Sequence, residues 1–177
     1  MAYKGFREDL TCTMGRGTFQ YAPGVWYEEK TAKCANSGFH ATYNPLDVLK
    51  YYSKSNDRYF VVELDGNIDE DAVNSRISAP RIRLVREITI QQLLAAGVLF
   101  MSKNPKLPWS DVVKKDKGNA EYDGYVIVRG KDPIASGKAG DFLFLFKDDT
   151  NEIAIYEVGV DVAAGVMCDV KGEIHDD

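Results

Sequence analysis

Two residues near the start of the chain, His40 and Lys4, have side chains that could do chemistry. His40 follows Gly38 and Phe39 and comes just before a predicted helix start. Backbone amides and an imidazole could converge on a ligand there. Because an imidazole titrates near neutral pH, His40 could also transfer a proton. The alternative is a half-buried histidine bonded to the adjoining turn.

Lys4 lies between Tyr3 and Gly5 in a predicted strand. Its ammonium could clasp an anion such as a pyrophosphate, or it could be an edge lysine that discourages pairing with another sheet. We expect the lysine–glycine strand and the histidine-bearing turn to meet across a shared concavity. No catalytic residue is assigned. The candidates for ligand binding are Tyr3, Lys4, Gly5, Phe39, His40, Tyr43 and Asn44.

The three cysteines, Cys12, Cys34 and Cys168, predict neither a disulfide framework nor a zinc site. Their odd number and the absence of a C-x-x-C pair fit reduced thiols, and we predict no metal. Cys34 could be a nucleophile if His40 lay beside it and lowered the pKa of its thiol. The alternative is a small buried residue.

The basic residues Arg81 and Arg83 alternate with aliphatic residues, which places both on one face of a strand. They are interface candidates, because such a pair could contact a phosphate backbone or an acidic partner. The alternative is a charged sheet face in which they pair with nearby acids such as Glu63 and Asp65.

Trp109 is a third interface candidate. It follows Pro108 in a predicted loop, where an exposed aromatic side chain could anchor a partner. Trp26 lies between Val25 and Tyr27 in a predicted strand, and we expect it in the core.

These residues are carried by short strands and two helices. Asn44 is predicted to cap a helix that begins at Pro45 and ends near residues 53–56, and Thr89 to cap a helix over residues 90–100. The apolar run Phe142–Phe146 should be covered on both faces. Strands are predicted over residues 2–6, 19–21, 25–27, 59–64, 77–90, 125–128, 141–146 and 153–158.

The pattern predicts an α+β fold: a twisted, mainly antiparallel sheet with two short helices and a small C-terminal β unit. We predict an α+β core domain over residues 1–101, a loop or linker over 102–121, and a β unit over 122–177 that packs on the core.

Composition excludes some classes of function. The 177 residues carry a net charge of −5, whereas nucleic-acid binders usually have a basic face, so a nucleic-acid partner is not expected. No apolar run reaches about 18 residues, and the first residues lack the apolar core of a signal peptide. We therefore expect a cytosolic protein without a membrane partner. The oligomeric state stays open.

Several motifs together resemble an uncharacterised domain common in phage and prophage proteins. They are Tyr3-Lys4-Gly5-Phe6, Gly38-Phe39-His40-Ala41, and Asn44-Pro45-Leu46-Asp47-Val48-Leu49 with Tyr51-Tyr52. The resemblance is specific over residues 2–66, looser over 75–95, and weaker again over 140–175. It implies a phage context and the cytosol of a host cell, but no activity.

The order of elements also resembles ADP-ribosyltransferase folds. Lys4-Gly5, the glycine–aromatic strand at residues 38–41, the helix after Pro45 and the strand at 59–64 follow that order. The chain departs from it in having Lys4 where arginine or histidine is usual, and in having a lone Glu87 where a catalytic glutamate motif would lie. The resemblance implies an NAD-using enzyme or a degenerate relative that holds a nucleotide.

From the first resemblance and the acidic charge, we expect a non-enzymatic phage accessory protein that binds a host protein. Inhibition of a host defence or takeover component would suit that context, and no cofactor is then needed. The alternatives are the ADP-ribosyltransferase-like protein, for which NAD is the cofactor, and a component of the virion.

Overall fold

A computed structural model describes residues 1–14, 17–71 and 74–175 of the chain. The backbone forms two compact units, Met1–Leu93 and Leu94–Asp177. The sheets are mostly antiparallel and the helices are short, so the predicted α+β class is confirmed. The predicted domain boundaries stay a prediction.

The first unit is built on one large sheet. Its strands are β1 (Ala2–Phe6), β2 (Thr11–Met14), β3 (Gly17–Gln20), β4 (Trp26–Glu28), β5 (Phe39–Thr42), β6 (Arg58–Asp65), β7 (Asp69–Glu70), β8 (Arg76–Ala79) and β9 (Arg81–Ile88). Among the described residues, seven of them form a sheet in the order β4-β9-β6-β1-β5-β8-β7, with every neighbouring pair antiparallel. Strands β2 and β3 form a separate hairpin.

Aromatic packing holds this sheet together. Phe6 contacts Phe60 and Tyr21 edge to face, with ring centroids 5.6 and 5.0 Å apart. These rings and Phe39 belong to one buried cluster, to which the hairpin contributes Cys12. Burial of several aromatic side chains is the main source of stability expected for a unit of this size.

One strand prediction for this unit needs correction. The strands predicted at residues 19–21 and 25–27 are present with shifted bounds, and β3 pairs with β2 while β4 pairs with β9. The strand predicted over residues 77–90 is interrupted at Pro80, because proline lacks the backbone N–H that a continuous ladder needs.

Both predicted helices begin where their caps indicate. Asn44 Oδ1 accepts a hydrogen bond from the Leu46 amide at 3.1 Å and begins a helix over Pro45–Lys50. That helix is 3₁₀ and ends earlier than predicted. Helix α1 (Ile90–Lys103) follows β9 and runs three residues beyond the predicted end.

The second unit is a smaller β structure. Its strands are β10 (Val113–Asn119), β11 (Tyr125–Ser136), β12 (Phe142–Lys147), β13 (Glu152–Glu157), β14 (Met167–Cys168) and β15 (Ile174–His175). Strand β11 pairs in parallel with both β10 and β12, and β13 runs antiparallel to β12. Residues 143–146 of β12 are all buried, which confirms that this strand is covered on both faces.

Strand β10 lies within residues 102–121, where a loop or linker was predicted. Its Lys114-Lys115-Asp116-Lys117 run is exposed and has no apolar alternation. Backbone pairing with β11, rather than burial of side chains, makes this segment a strand. Composition therefore misled the prediction here.

Candidate functional site

Strands β1 and β5 line a wide concavity of the first unit, with a volume of about 1070 Å³. All five residues of β1 pair with β6, and all four of β5 pair with β8. Between β1 and β5 themselves, however, the described register is the single pair Tyr3 opposite Thr42. Residues of both strands, including Lys4 and His40, line the concavity.

Lys4 and His40 meet in this concavity, as expected. Lys4 Nζ donates a hydrogen bond to the His40 carbonyl oxygen at 2.7 Å. The lysine side chain is buried, and its nitrogen lies 5.5 Å from the ring centroid of Phe6 and 5.6 Å from that of Tyr21. Burial lowers the pKa of Lys4 from its ordinary value. Lys4 is therefore not an edge lysine, since β1 lies inside the sheet.

His40 has a structural bond to the adjoining turn. Its Nε2 accepts a hydrogen bond from the Ala35 amide at 3.0 Å, so that nitrogen carries no proton. Burial lowers the pKa of His40, the positive charges of Lys4 and Arg76 lower it further, and a backbone bond to Gly38 acts the other way. The imidazole is thus held neutral, which suits a support for the turn better than a general acid.

Cys34 lacks the environment of a nucleophile. Burial raises the pKa of its thiol, although the Arg76 charge acts in the opposite sense. Its Sγ donates to the Arg76 carbonyl oxygen at 3.4 Å, and its amide donates to Asp69 Oδ2 at 2.6 Å. A reactive cysteine needs a lowered pKa, so the interpretation as a half-buried structural residue is favoured.

Gly5 lines the concavity, and its lack of a side chain is also required for packing. A Cβ atom at this position would lie 2.6 Å from the Cβ of Tyr52, a distance that forces the backbone or the tyrosine to move. The absence of a side chain therefore lets Tyr52 lie directly over β1. Tyr3, two residues before Gly5, is half-buried and also lines the concavity.

Three predicted ligand-binding residues lie outside the lining of the concavity. Phe39 is buried in the aromatic core. Asn44 is buried as the cap of the 3₁₀ helix, and its amide donates to Ser75 Oγ at 2.9 Å. Tyr43 is exposed on the chain between them, and its amide is bonded to the Ser75 carbonyl oxygen. Core packing of Phe39 and the capping role of Asn44 thus use these two residues for structure.

Sequence reasoning missed the buried polar residues Cys12 and Tyr21, which also line the concavity. Cys12 Sγ donates to the Tyr21 hydroxyl oxygen at 3.6 Å. Thr11-Cys12-Thr13 alternates as a strand does, and a hairpin between it and residues 17–20 could have been found from that signal. Their proximity to Lys4 could not, because it depends on how the hairpin packs on the sheet. We call Lys4, Cys12 and Tyr21 the buried polar cluster.

Charges of both signs surround the opening. The basic lining residues are Lys4, Arg7, Lys54 and Arg76, and the acidic ones are Glu8, Asp9, Glu29 and Asp57. Among these, Lys4 is buried, Asp57 is half-buried, and Glu8, Asp9 and Glu29 are exposed. The three exposed acids are screened by water at the rim, and the one buried charged group is the lysine.

The interface candidates Arg81 and Arg83 form part of a charged sheet face. Arg81 pairs with Asp65 and Arg83 with Glu63 across the β6–β9 ladder. Both guanidinium groups also lie over the Trp26 ring, 4.8 and 5.0 Å from its centroid. This geometry favours the interpretation as a charged sheet face, and it places Trp26 half-buried on that face instead of in the core.

Trp109, the third interface candidate, is half-buried within the second unit. The buried Arg129 guanidinium lies 4.7 Å from its ring centroid and also donates to Asp148 at 2.6 Å. Its stacking therefore has a structural role in that unit.

The described residues contain no candidate metal site and no candidate membrane-spanning helix. Within residues 1–14, 17–71 and 74–175, no three His, Cys, Asp or Glu side chains are grouped so that they could hold a metal ion. In the same residues no helix has the length and hydropathy that crossing a bilayer requires.

Comparison with known proteins identifies the first unit. A family model described as a domain of unknown function, DUF7666, matches residues 1–96, which is more than half of the chain. The chain belongs to the DUF7666 family. No curated protein and no solved structure matches it.

The DUF7666 match covers every residue of the concavity, because the lining runs from Tyr3 to Arg76. The prediction of an uncharacterised domain family is confirmed in that form. The match ends before residues 140–175, where a weaker resemblance was predicted. The comparisons add no support for a phage association or for a likeness to ADP-ribosyltransferases.

Proposed function

We propose that this DUF7666 protein is a binding protein rather than an enzyme, and that it holds part of a host protein in the concavity beside β1 and β5. The phage context rests on the sequence resemblance described above. In that context the protein would act as an accessory factor that binds, and so inhibits, a host defence or takeover component.

The proposal depends on the hydrogen bonds that the potentially reactive side chains already make within the protein. Lys4 Nζ donates to the His40 carbonyl oxygen, and His40 Nε2 accepts from the Ala35 amide. The Cys34 thiol has a raised pKa. A general base needs a free lone pair, and a nucleophile needs activation, so the described groups support recognition better than turnover.

The size of the opening also suits a segment of a macromolecule. A volume of about 1070 Å³ exceeds that of most sites for small molecules. Tyr51 lines it with about half of its surface exposed, and its hydroxyl accepts from Arg76 Nη1 at 3.3 Å. Tyrosine and arginine are among the residue types that most often dominate binding energy at protein interfaces.

A pull-down from a bacterial lysate tests the proposal with a matched pair of variants. Tyr51→Ala truncates a lining residue, whereas Tyr122→Ala truncates a tyrosine that is 96% exposed and lies outside the lining. Proteins retained by the wild type and by Tyr122→Ala should be depleted about tenfold or more with Tyr51→Ala. Quantitative mass spectrometry of the eluates measures this, and equal thermal melts verify that the variants fold.

Retention of the same proteins at the same level by Tyr51→Ala would contradict the proposed site, and retention of none would contradict the function. Incubation with labelled NAD and the lysate tests the enzyme alternative. Transfer of label that His40→Ala abolishes would favour an enzyme, and copurification with phage particles would favour a virion component.

A further inference from the structure

The buried polar cluster has hydrogen-bond donors that the described residues leave without a strong acceptor. Lys4 is 8% exposed and Tyr21 is 3% exposed, yet both line the concavity. An ammonium has three N–H donors, and one of them is used by the His40 carbonyl oxygen. Within the described part of the chain, no carboxylate pairs with Lys4.

Tyr21 adds a second donor at the same place. A thiol is a weak hydrogen-bond partner, and besides Cys12 Sγ at 3.6 Å no described group is bonded to the Tyr21 hydroxyl. Burial, followed by the neighbouring Cys12, raises the pKa of Tyr21, so the phenol keeps its proton and remains a donor. Lys4 Nζ lies 5.6 Å from the centroid of this ring.

None of the acidic residues that line the concavity has a described ion pair with Lys4: Asp57 accepts from the Lys54 amide at 2.9 Å, and Glu29 is exposed. Asp9 is exposed and accepts from the Thr11 amide and hydroxyl, at 3.0 and 2.7 Å. Glu8 is exposed and accepts from Asn56 Nδ2 at 3.2 Å. Burying a positive charge without a neighbouring anion costs free energy. Binding of an anion beside the charge would offset that cost.

We propose that the buried polar cluster binds an oxyanion, a carboxylate or a phosphate group of the partner, with Lys4 Nζ and the Tyr21 hydroxyl as donors. This inference rests on the proposed function, because it names the chemical group by which a partner in the concavity is recognised. A carboxylate would come from an acidic side chain or a chain terminus of the partner protein, and a phosphate from a phosphorylated side chain.

The two sources can be separated with small probes. Sodium acetate and sodium phosphate are titrated separately into the full-length protein, against sodium chloride at matched ionic strength. NMR signals of the Lys4 ε-methylene and the Tyr21 ring report binding, and a fit of the shifts to probe concentration yields each affinity. Saturating shifts with acetate alone indicate a carboxylate site, and saturating shifts with phosphate alone indicate a phosphate site. Saturating shifts with both probes indicate a site that binds either oxyanion.

Three variants assign the effect to the cluster. Lys4→Met removes the charge and keeps an apolar stem, and it should weaken acetate or phosphate binding about tenfold or more. Tyr21→Phe removes one hydroxyl and should weaken binding severalfold. Tyr122→Phe removes an exposed hydroxyl elsewhere and should leave the affinity unchanged. If Lys4→Met does not fold, Tyr21→Phe against Tyr122→Phe still makes the comparison.

Failure of this inference is distinct from failure of the proposed function. If neither probe shifts the Lys4 and Tyr21 signals, or if Tyr21→Phe binds as the wild type does, the oxyanion site is overturned. The pull-down with Tyr51→Ala would still report whether the concavity holds a protein. Probe binding without any captured partner would leave the site standing and remove the proposed function.

Discussion

At the scale of single residues, His40 is the clearest case of a reactive side chain used for structure. Its neutral ring accepts the amide of Ala35, a residue in the left-handed backbone conformation with φ of 64°. Few residues other than glycine adopt that backbone conformation without a stabilising contact. The histidine thereby stabilises a turn that precedes the strand carrying it.

This role predicts a pH dependence of stability. The folded-state pKa of His40 lies below its ordinary value of 6.5, so in acid the unfolded chain takes up a proton that the folded chain resists. The free energy of unfolding should therefore fall as the pH drops from about 7 to about 5. In His40→Gln, which cannot titrate there, the fall should be smaller.

Urea denaturation at a series of pH values measures this difference. His175→Gln removes the other histidine, which is exposed, and should keep the steeper fall of the wild type. An identical pH profile for the wild type and His40→Gln would show that protonation of His40 does not oppose folding.

At the scale of elements, helix α1 begins with a reciprocal pair of cap bonds. Thr89 Oγ1 accepts from the Gln92 amide at 3.2 Å, and Gln92 Oε1 accepts from the Thr89 amide at 3.1 Å. This capping box satisfies two donors that the first turn would otherwise leave unpaired.

Loss of the cap should have a measurable cost. Thr89→Ala removes one of the two bonds and is expected to lower the free energy of unfolding by about 1 kcal/mol. Thr31→Ala, at an exposed position outside any helix or strand, should change it by about 0.5 kcal/mol or less. Far-ultraviolet circular dichroism in urea measures both, and equal midpoints would mean that the cap contributes nothing.

Elements with local causes could be predicted from the sequence. The caps at Asn44 and Thr89 act on amides two or three residues away, and the apolar run Phe142–Phe146 indicates burial by itself. Strand β10 could not be predicted, because its partner β11 supplies the backbone bonds and its own lysines suggest a loop.

The candidate site was predicted in part for the same reason. The approach of Lys4 to His40 followed from the order of the elements, and the structure brings them together. The approach of Tyr21 to Lys4 depends on tertiary packing of a hairpin, and the limited pairing of β1 with β5 depends on the other strands with which each pairs. Neither feature leaves a local pattern in the sequence.

At the scale of the whole molecule, each compact unit has a hydrophobic cluster and one tryptophan. Trp26 belongs to the first unit and Trp109 to the second, and the sequence contains no other tryptophan. Fluorescence in a background with one of them replaced by phenylalanine therefore reports on one unit at a time.

A core truncation should affect the two signals unequally. Phe60 is 2% exposed and packs on Phe6, so Phe60→Ala should destabilise the unit reported by Trp26 by about 3–5 kcal/mol. The midpoint in guanidinium reported by Trp109 should shift less. Val85→Ala, at an exposed site of β9, is the control, and equal shifts of both signals would show that the units unfold as one.

The close contact between Gly5 and Tyr52 has a consequence for how the family can evolve. Any side chain at position 5 would occupy space that the tyrosine already fills. Homologous chains are therefore expected to substitute the two positions in concert, with a bulkier residue at 5 accompanied by a smaller one at 52. Such coupled substitution would identify relatives that keep the shape of this part of the concavity.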